Sequence, residues 1–167
     1  MVKKDTVPAK SCLAQVYGSV NYQDCFSKKI SVQSSMSPAG LFQDMFFPVP
    51  GWIKTLMNIR NWIVPFFGLK AVSGNSNAVK KRDEDLTVGD FIGFFEIVSM
   101  EEHEIVVSAN DRHLDSSFSL LIAGEGAQKT VFLTSVVTTK EWFGDVYMFV
   151  IAPFHRLIVC HLLNRLT

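Results

Sequence analysis

The last part of the chain carries the pattern that most constrains its fold. From Glu141 to Leu166, apolar residues recur every three or four positions, which predicts one amphipathic helix of about 24 residues. Such a helix is about 36 Å long, enough to lie across a whole sheet. Pro153 falls near its middle, where it removes one backbone hydrogen bond and is expected to bend the helix axis.

Both flanks of this predicted helix are apolar. The stripe expected to face the rest of the protein consists of Phe143, Val146, Tyr147, Val150, Ile151, Phe154, Leu157, Ile158 and Leu162. The other flank carries Met148, Phe149, Ala152, Val159 and Leu163. Because a helix that is apolar nearly all round is buried on two sides, the second flank predicts a homodimer seam or a partner site.

The preceding part of the chain changes to a period of two, which is typical of strands. Four alternating runs are predicted as strands, at 94–100, 105–109, 117–122 and 128–139. The turns between them are short, so consecutive strands must be antiparallel. Upstream lie one predicted strand, 22–32, and two short predicted helices, 39–47 and 51–64.

This order of elements predicts an α+β fold: a curved antiparallel sheet against a long C-terminal helix, with two short helices between the first strand and the meander. A chain of 167 residues fits one domain. Residues 1–20 show no sustained period and are expected to form a loosely ordered N-terminal arm, which leaves 21–167 as the single domain. A bent helix over a curved sheet leaves room for a cavity between them.

Composition excludes several classes of function. Sixteen basic residues balance sixteen acidic ones, so no long-range field favours nucleic acid. Three cysteines without close spacing form neither a disulfide framework nor a zinc pair. The polar N-terminus does not resemble a signal peptide, and no apolar run approaches the length of a transmembrane helix. We therefore expect a soluble, cytoplasmic protein with no nucleic-acid partner, no transmembrane segment, no metal and no cofactor.

Four segments of the chain resemble a known family. They are NYQDCFS (residues 21–27), PGWIKTLMNIRNWIVPFFGLK (50–70), NDRHLD (110–115) and PFHRLIV (153–159). Together they are similar to family 2867 of bacterial domains of unknown function. The resemblance implies a helix-grip fold, similar to the Bet v 1 and polyketide-cyclase (SRPBCC-like) superfamily, with an apolar cavity between sheet and helix. It implies no catalytic residues, and the chain has no glycine-rich dinucleotide fingerprint.

One polar cluster is a weak candidate for catalysis. Asp111, His113 and Asp115 share one face of an extended strand, because side chains alternate along a strand. A histidine between two carboxylates can act as an oriented base. The alternative is a turn followed by cross-strand ion pairs that fix the register of a hairpin.

Five residues are candidates for ligand binding: Arg60, His113, His161, Trp52 and Phe94. His161 continues the helical stripe and is expected to point toward the sheet, where it would place a polar group in an apolar pocket. Arg60 lies on an apolar helix face and needs either an acid such as Asp44 or Glu96, or an anionic ligand. Trp52 and Phe94 would line the cavity or simply fill the core.

Three functions therefore remain open at this stage. The leading hypothesis is an uncharacterised protein that binds a small apolar or amphipathic molecule between the sheet and the C-terminal helix. One alternative is a homodimeric interaction protein that uses the second apolar flank of that helix. The other is an enzyme of the cyclase, dehydratase or hydrolase type, which would use His113 with Asp111 or Asp115. Superfamily analogy is a weak argument for that last class.

Overall fold

The computed structural model describes residues 1–16, 20–31, 37–63, 80–110, 114–140 and 142–166. Its strands are β1 Lys3–Lys4, β2 Tyr22–Ser31, β3 Phe91–Ile92, β4 Phe95–Met100, β5 Glu104–Asn110, β6 Leu114–Ala123 and β7 Gln128–Thr139. Its α-helices are α1 Pro38–Phe46, α2 Gly51–Ile63 and α3 Trp142–Arg165. A short 3₁₀ turn occupies Asp83–Asp85.

The strands form one antiparallel sheet in the order β1-β2-β7-β6-β5-β4-β3. The last strand, β7, pairs with the first long strand, β2, along the whole length of β2. The two short helices follow β2, and the long helix α3 packs on β2 and β7. The predicted α+β fold is thus confirmed, and the two-residue strands β1 and β3 add to it at the sheet edges.

The sheet has two faces of different character. The inner face, which we define as the one that α1 and α3 cover, carries Phe26, Leu133, Leu120 and Ile105 at paired positions on adjacent strands. These residues belong to the main core, which also contains the C-terminal end of α3. The outer face, on the opposite side, carries alternating residues such as Cys25, Thr134 and Ser119.

Helix α1 is almost wholly buried. Ser37 caps it, accepting a hydrogen bond from the Gly40 amide at 2.9 Å, and Pro38 occupies the first turn, as the Ser-Pro pair predicts. Gln43 is 1% exposed, and its amide exchanges hydrogen bonds with the backbone N–H and C=O of Lys81 at 2.9 and 3.1 Å. This pairing satisfies a buried polar side chain that would otherwise destabilise the core.

Helix α3 is rotated relative to the sequence prediction. The side chains that pack toward the sheet are Met148, Ala152, Val159, Leu162, Leu163 and Leu166, which are all buried. Four residues of the stripe predicted to be buried are instead exposed: Val146, Val150, Phe154 and Leu157. The prediction failed because both flanks are apolar, so hydrophobic periodicity alone could not choose between them.

The N-terminal residues lie against the outer face. β1 pairs with β2 through Lys3 and Lys4, and Ser11 and Leu13 are buried. Leu13 packs with Val106 and Val136 in a small second core. The division of the chain into an arm at 1–20 and a domain at 21–167 stays a proposal. None of the helices in the described residues combines the length and the apolar character that a membrane crossing requires.

Candidate functional site

Of the three candidate catalytic residues, the structure describes one, Asp115. Asp111 and His113 lie outside the described residues. Asp115 is on β6, where its carboxylate forms an ion pair with Lys140, with an O–N distance of 2.7 Å. Its side chain is about half exposed and borders a concavity on the outer face. The catalytic role of these three residues stays a prediction.

The candidates for ligand binding fall in separate places. Trp52 of α2 and His161 of α3 meet edge to face, with ring centroids 5.1 Å apart. His161 is exposed, so the expectation that it points toward the sheet is wrong. The reason is the rotation of α3, which buries Val159 and Leu163 of the flank predicted to face outward.

Arg60 and Phe94 each contact residues outside the candidate set. The Arg60 guanidinium donates to Asn61 Oδ1 at 3.0 Å, whereas Asp44, its proposed partner, pairs with Lys80. Phe94 is half-buried in an aromatic cluster with Phe46 and Phe95. Trp52 and His161 contact each other, and a ligand-binding role for the five candidates stays a prediction.

A different group of polar residues lies between the inner face and α3. Asp24 and Tyr22 project from β2 on the same face as the core residue Phe26, as alternation along a strand requires. Ser135 is the direct cross-strand partner of Asp24 on β7. His155 comes down from α3, one turn after Ile151. We call these four residues, Tyr22, Asp24, Ser135 and His155, the inner cluster.

The contacts within the inner cluster are specific. The Tyr22 hydroxyl donates to Asp24 Oδ2 at 2.5 Å, and His155 Nε2 lies 3.7 Å from the same oxygen. His155 Nε2 is also 3.1 Å from Ser135 Oγ, within hydrogen-bond distance. The Arg156 side chain lies over the Tyr22 ring and donates to its hydroxyl at 3.4 Å. The cluster thus joins the first long strand, the last strand and the long helix.

Asp24 is ionised in this setting although it is 1% exposed. Burial raises the pKa of its carboxyl, but the hydrogen bond and charge of His155, with the hydroxyls of Tyr22 and Ser135, outweigh burial and leave the pKa below its usual value. Burial, followed by the adjacent Asp24 carboxylate, raises the pKa of the Tyr22 hydroxyl. Tyr22 therefore remains a hydrogen-bond donor at neutral pH, and Asp24 remains an acceptor.

One oxygen of this buried carboxylate is not satisfied. Among the described residues, Asp24 Oδ1 has no hydrogen-bond partner. A buried polar group without a partner costs free energy, and most such groups in native proteins are paired. An exception of this kind, at a perturbed carboxyl group, is a candidate functional site.

Apolar side chains border the inner cluster on one side. Phe118 is the cross-strand neighbour of Ser135, and its ring centroid lies 5.8 Å from that of His155 and 5.1 Å from that of Phe95. Phe118, Ala109 and His155 are each only half-buried. The inner face next to the cluster is therefore partly accessible and apolar.

The inner cluster does not have the geometry of a nucleophilic triad. In such a triad the acid contacts one imidazole nitrogen and the nucleophile contacts the other. Here Ser135 Oγ and Asp24 Oδ2 both approach Nε2 of His155. One nitrogen cannot accept the Ser135 proton and at the same time donate a proton to Asp24. The arrangement orients donors and acceptors, and it does not activate the serine.

A second buried carboxylate lies on the outer face and is fully paired. Glu104 of β5 is 4% exposed. Its Oε1 accepts from Ser11 Oγ at 2.6 Å and from Ser119 Oγ, and its Oε2 accepts from the Cys12 amide at 2.8 Å. Burial raises the pKa of Glu104, but these hydrogen bonds outweigh it and lower the pKa overall. We call Glu104, Ser11, Cys12 and Ser119 the outer cluster.

Two surface concavities lined by described residues lie on the outer face, and neither is between the sheet and α3, where the sequence analysis expected a cavity. One, of about 450 Å³, is bordered by Lys3, Asp5, Ser27 and Phe132. The other, of about 330 Å³, is bordered by Leu13, Asp115 and Val136. Their acids already have partners, since Asp5 accepts from Ser27 Oγ at 2.6 Å and Asp115 pairs with Lys140. We therefore prefer the inner cluster as the candidate site.

The described residues include no group of three or more His, Cys, Asp or Glu side chains suited to hold a metal ion. The inner cluster contains one carboxylate and one imidazole. Its chemistry is that of a polar contact at the edge of an apolar surface, where hydrogen bonds can fix the orientation of a bound molecule.

The sequence analysis singled out none of Asp24, Tyr22 and His155 as a site residue. The segments that contain these residues, NYQDCFS and PFHRLIV, are nevertheless among those that carry the family resemblance. The alternation in NYQDCFS puts Tyr22, Asp24 and Phe26 on one face, and an acid beside a core phenylalanine was the available signal. The pairing of β2 with β7, which brings in Ser135, has no local signal.

Comparisons with known proteins give one family. A sequence profile described as "Protein of unknown function (DUF2867)" matches residues 16–162. No curated protein matches the chain. The crystal structure of CalU16 from Micromonospora echinospora is similar, with 15% sequence identity, over 99% of this chain and 91% of CalU16, at a TM-score of 0.37. A likeness at that TM-score carries no argument about function.

Proposed function

We propose, for a chain that belongs to the DUF2867 family of proteins of unknown function, that it binds a small amphipathic molecule at the inner cluster, between the sheet and α3. The observation that carries the proposal is the unpartnered Oδ1 of Asp24, in a side chain that is 1% exposed. A ligand that donates a hydrogen bond to this oxygen would satisfy it. Because the oxygen is closed to solvent in the free protein, the side chains around it would have to move to admit the donor.

The surroundings define the polar end of the ligand. Asp24 is an acceptor because its pKa is low, and its other oxygen is already occupied by the Tyr22 hydroxyl. Arg156 is directed to Tyr22 and so does not neutralise Oδ1 directly. The group that fits Oδ1 is therefore an N–H or O–H donor, and an anionic head group would be repelled by the carboxylate.

The apolar end of the ligand would lie on the half-buried side chains beside the cluster. Phe118 and Ala109 continue the inner face away from Asp24, and Phe94 and Phe95 extend the aromatic surface. Small-molecule sites usually combine such an apolar lining with a few polar groups that fix orientation. This combination supports binding of an amphipathic molecule over a purely polar one.

Binding is better supported than catalysis. His155 and Asp24 form a His–Asp pair of the kind that can act in acid–base catalysis. However, Ser135 approaches the same imidazole nitrogen as Asp24, so His155 is not placed to take the serine proton. The proposed catalytic use of His113 with Asp111 or Asp115 rests on residues of which only Asp115 is described. The contacts of His155, Asp24 and Ser135 therefore favour an oriented binding site.

The test uses three probes that share one alkyl chain and differ in the head group: decylamine, 1-decanol and decanoate. Isothermal titration calorimetry should show binding of the amine and the alcohol, with decanoate at least about tenfold weaker, because only the first two donate to Asp24. In Asp24→Asn the preference for the amine should be lost, since the charge is gone and the new amide both donates and accepts.

Glu102→Gln is the matched control, because the Glu102 side chain is 89% exposed and the substitution removes the same charge elsewhere. Its binding profile should equal that of the unmodified protein. Failure of all three probes to bind would contradict the proposed site. Binding of decanoate as tightly as decylamine would contradict the role of Asp24.

A further inference from the structure

Helix α3 presents a second apolar surface that faces away from the sheet and that the described residues leave exposed. Five side chains on the face opposite the sheet are exposed: Val146 at 51%, Phe149 at 83%, Val150 at 56%, Phe154 at 47% and Leu157 at 59%. We call these five residues the α3 stripe. They recur at helical spacing over three turns, whereas Met148, Ala152 and Val159 occupy the buried face.

The area of the stripe is sufficient for a specific contact. Its five side chains leave on the order of 500 Å² of apolar surface accessible, near the upper end of the largest patches on monomeric proteins. A stripe paired with an identical stripe would bury roughly 1,000 Å² in total, which reaches the range of specific interfaces once rim residues are added. An unlike partner would have to bring an apolar surface of its own, whereas a second copy already has one.

The charges of α3 also favour a second copy. Between Val146 and Leu157 the chain has one charged residue, Arg156, and its guanidinium is directed to the Tyr22 ring and hydroxyl. Two stripes can therefore approach each other without like-charge repulsion. A membrane-surface helix instead carries several Lys and Arg residues beside its apolar face, and this part of α3 lacks them.

We infer that the α3 stripe is the seam of a homodimer, in which two α3 helices pack across a two-fold axis. Contact of one patch with its own copy requires such an axis. Within the stripe, Val146, Val150, Phe154 and Leu157 follow one another at spacings of four, four and three residues, so they form one continuous apolar ridge along the helix. The inference is independent of the inner cluster, since the stripe lies on the other side of α3.

Sedimentation equilibrium at micromolar protein concentrations tests the inference, with Val150→Glu as the disrupting variant. Val88→Glu is the matched control, because Val88 lies in a turn outside α3 and is 60% exposed, close to the 56% of Val150. The unmodified protein and Val88→Glu should be dimers. Val150→Glu should weaken the dimer at least about tenfold, because each copy would place a charge in an apolar seam.

A second variant, Phe149→Glu, changes the most exposed residue of the stripe and should also give a monomer. Far-UV circular dichroism should match that of the unmodified protein, since neither side chain is part of the core. A monomeric unmodified protein would overturn the inference. So would a dimer that persists in both stripe variants, or binding of the unmodified protein to phosphatidylcholine vesicles in place of dimerisation.

Discussion

Two carboxylates are buried on opposite faces of the same sheet, and they differ in how completely they are paired. Glu104, on the outer face, receives three hydrogen bonds shared between its two oxygens. Asp24, on the inner face, receives one from Tyr22 at Oδ2, which His155 Nε2 also approaches at 3.7 Å, and leaves Oδ1 without a partner among the described residues. Their burial is similar, at 4% and 1% exposure, so burial alone does not separate structure from function.

The difference lies in what each acid holds together. Glu104 binds Ser11 and the Cys12 amide, which are more than 90 residues away in the chain, and so fixes the N-terminal residues to the outer face. Every donor in that cluster comes from the protein itself. At Asp24 the protein supplies less than the carboxylate can accept. The completely paired acid is accounted for by its structural role, whereas the incompletely paired one is the candidate for contact with a ligand.

The largest expected effect is on stability at the outer cluster. Glu104→Gln should lower the free energy of unfolding by about 3 kcal/mol, because an amide cannot accept all three charge-assisted hydrogen bonds and turns its own N–H groups toward donors. Urea denaturation monitored by circular dichroism measures the change. A loss below about 1 kcal/mol would contradict the structural role, and Glu102→Gln should leave stability unaltered.

The next effect concerns the reactivity of Cys12. A hydrogen bond to Glu104, with burial and the Glu104 charge adding to it, raises the pKa of the Cys12 thiol to about 11. Since only the thiolate reacts, alkylation by iodoacetamide at about pH 8 should be roughly 100-fold slower than for an ordinary protein thiol. Peptide mapping by mass spectrometry resolves Cys12 from Cys25 and Cys160. In Glu104→Gln the rate should rise, and an unchanged rate would argue against the contact.

The third expected effect is on the pH dependence of the free energy of unfolding, compared between the unmodified protein and Glu104→Gln. The pKa of Glu104 is lowered by folding from its usual value of 4.5, so its contribution is present above about pH 4.5 and is lost as the pH falls through the lower folded pKa. The stability deficit of Glu104→Gln should therefore be largest near neutral pH and shrink in acid. Urea titrations at several pH values test this, and a deficit that grows in acid would have the wrong sign.

The smallest expected effect is on stability at the inner cluster. Asp24→Asn should lower the free energy of unfolding by only about 1 kcal/mol, because the weakened hydrogen bond from Tyr22 and the lost charge interaction with His155 are partly offset by the removal of an incompletely satisfied buried charge. The same urea experiment measures it beside Glu104→Gln. A loss as large as that of Glu104→Gln would assign Asp24 a structural role and remove the contrast.

The sequence predicted most of the fold. Strong periodicity located the long helix from Trp142 to Arg165 and four strands of the meander, since these elements are long and patterned. The two-residue strands β1 and β3 are too short to carry a period. The rotation of α3 escaped prediction because Met148 and Ala152 on one side are as apolar in pattern as Val146 and Val150 on the other.

The candidate site was less accessible to sequence reasoning. Asp24, Ser135 and His155 are far apart in the chain and meet only because β2 pairs with β7 and α3 crosses them. Clusters that are local in sequence, such as Asp111 to Asp115, attract attention for that reason alone. Whether an acid like Glu104 or Asp24 is fully paired depends on partners that no local pattern contains, here Ser11 and Ser119 for the one and Tyr22 for the other.

The most direct test of the contrast between the two acids is a high-resolution crystal structure of the protein grown with decylamine. The account predicts the amine nitrogen within hydrogen-bond distance of Asp24 Oδ1, the alkyl chain along Phe118, and an outer cluster without any ligand at Glu104. A structure with the amine elsewhere, and with a protein group or a single water completing the hydrogen bonds of Oδ1, would contradict it.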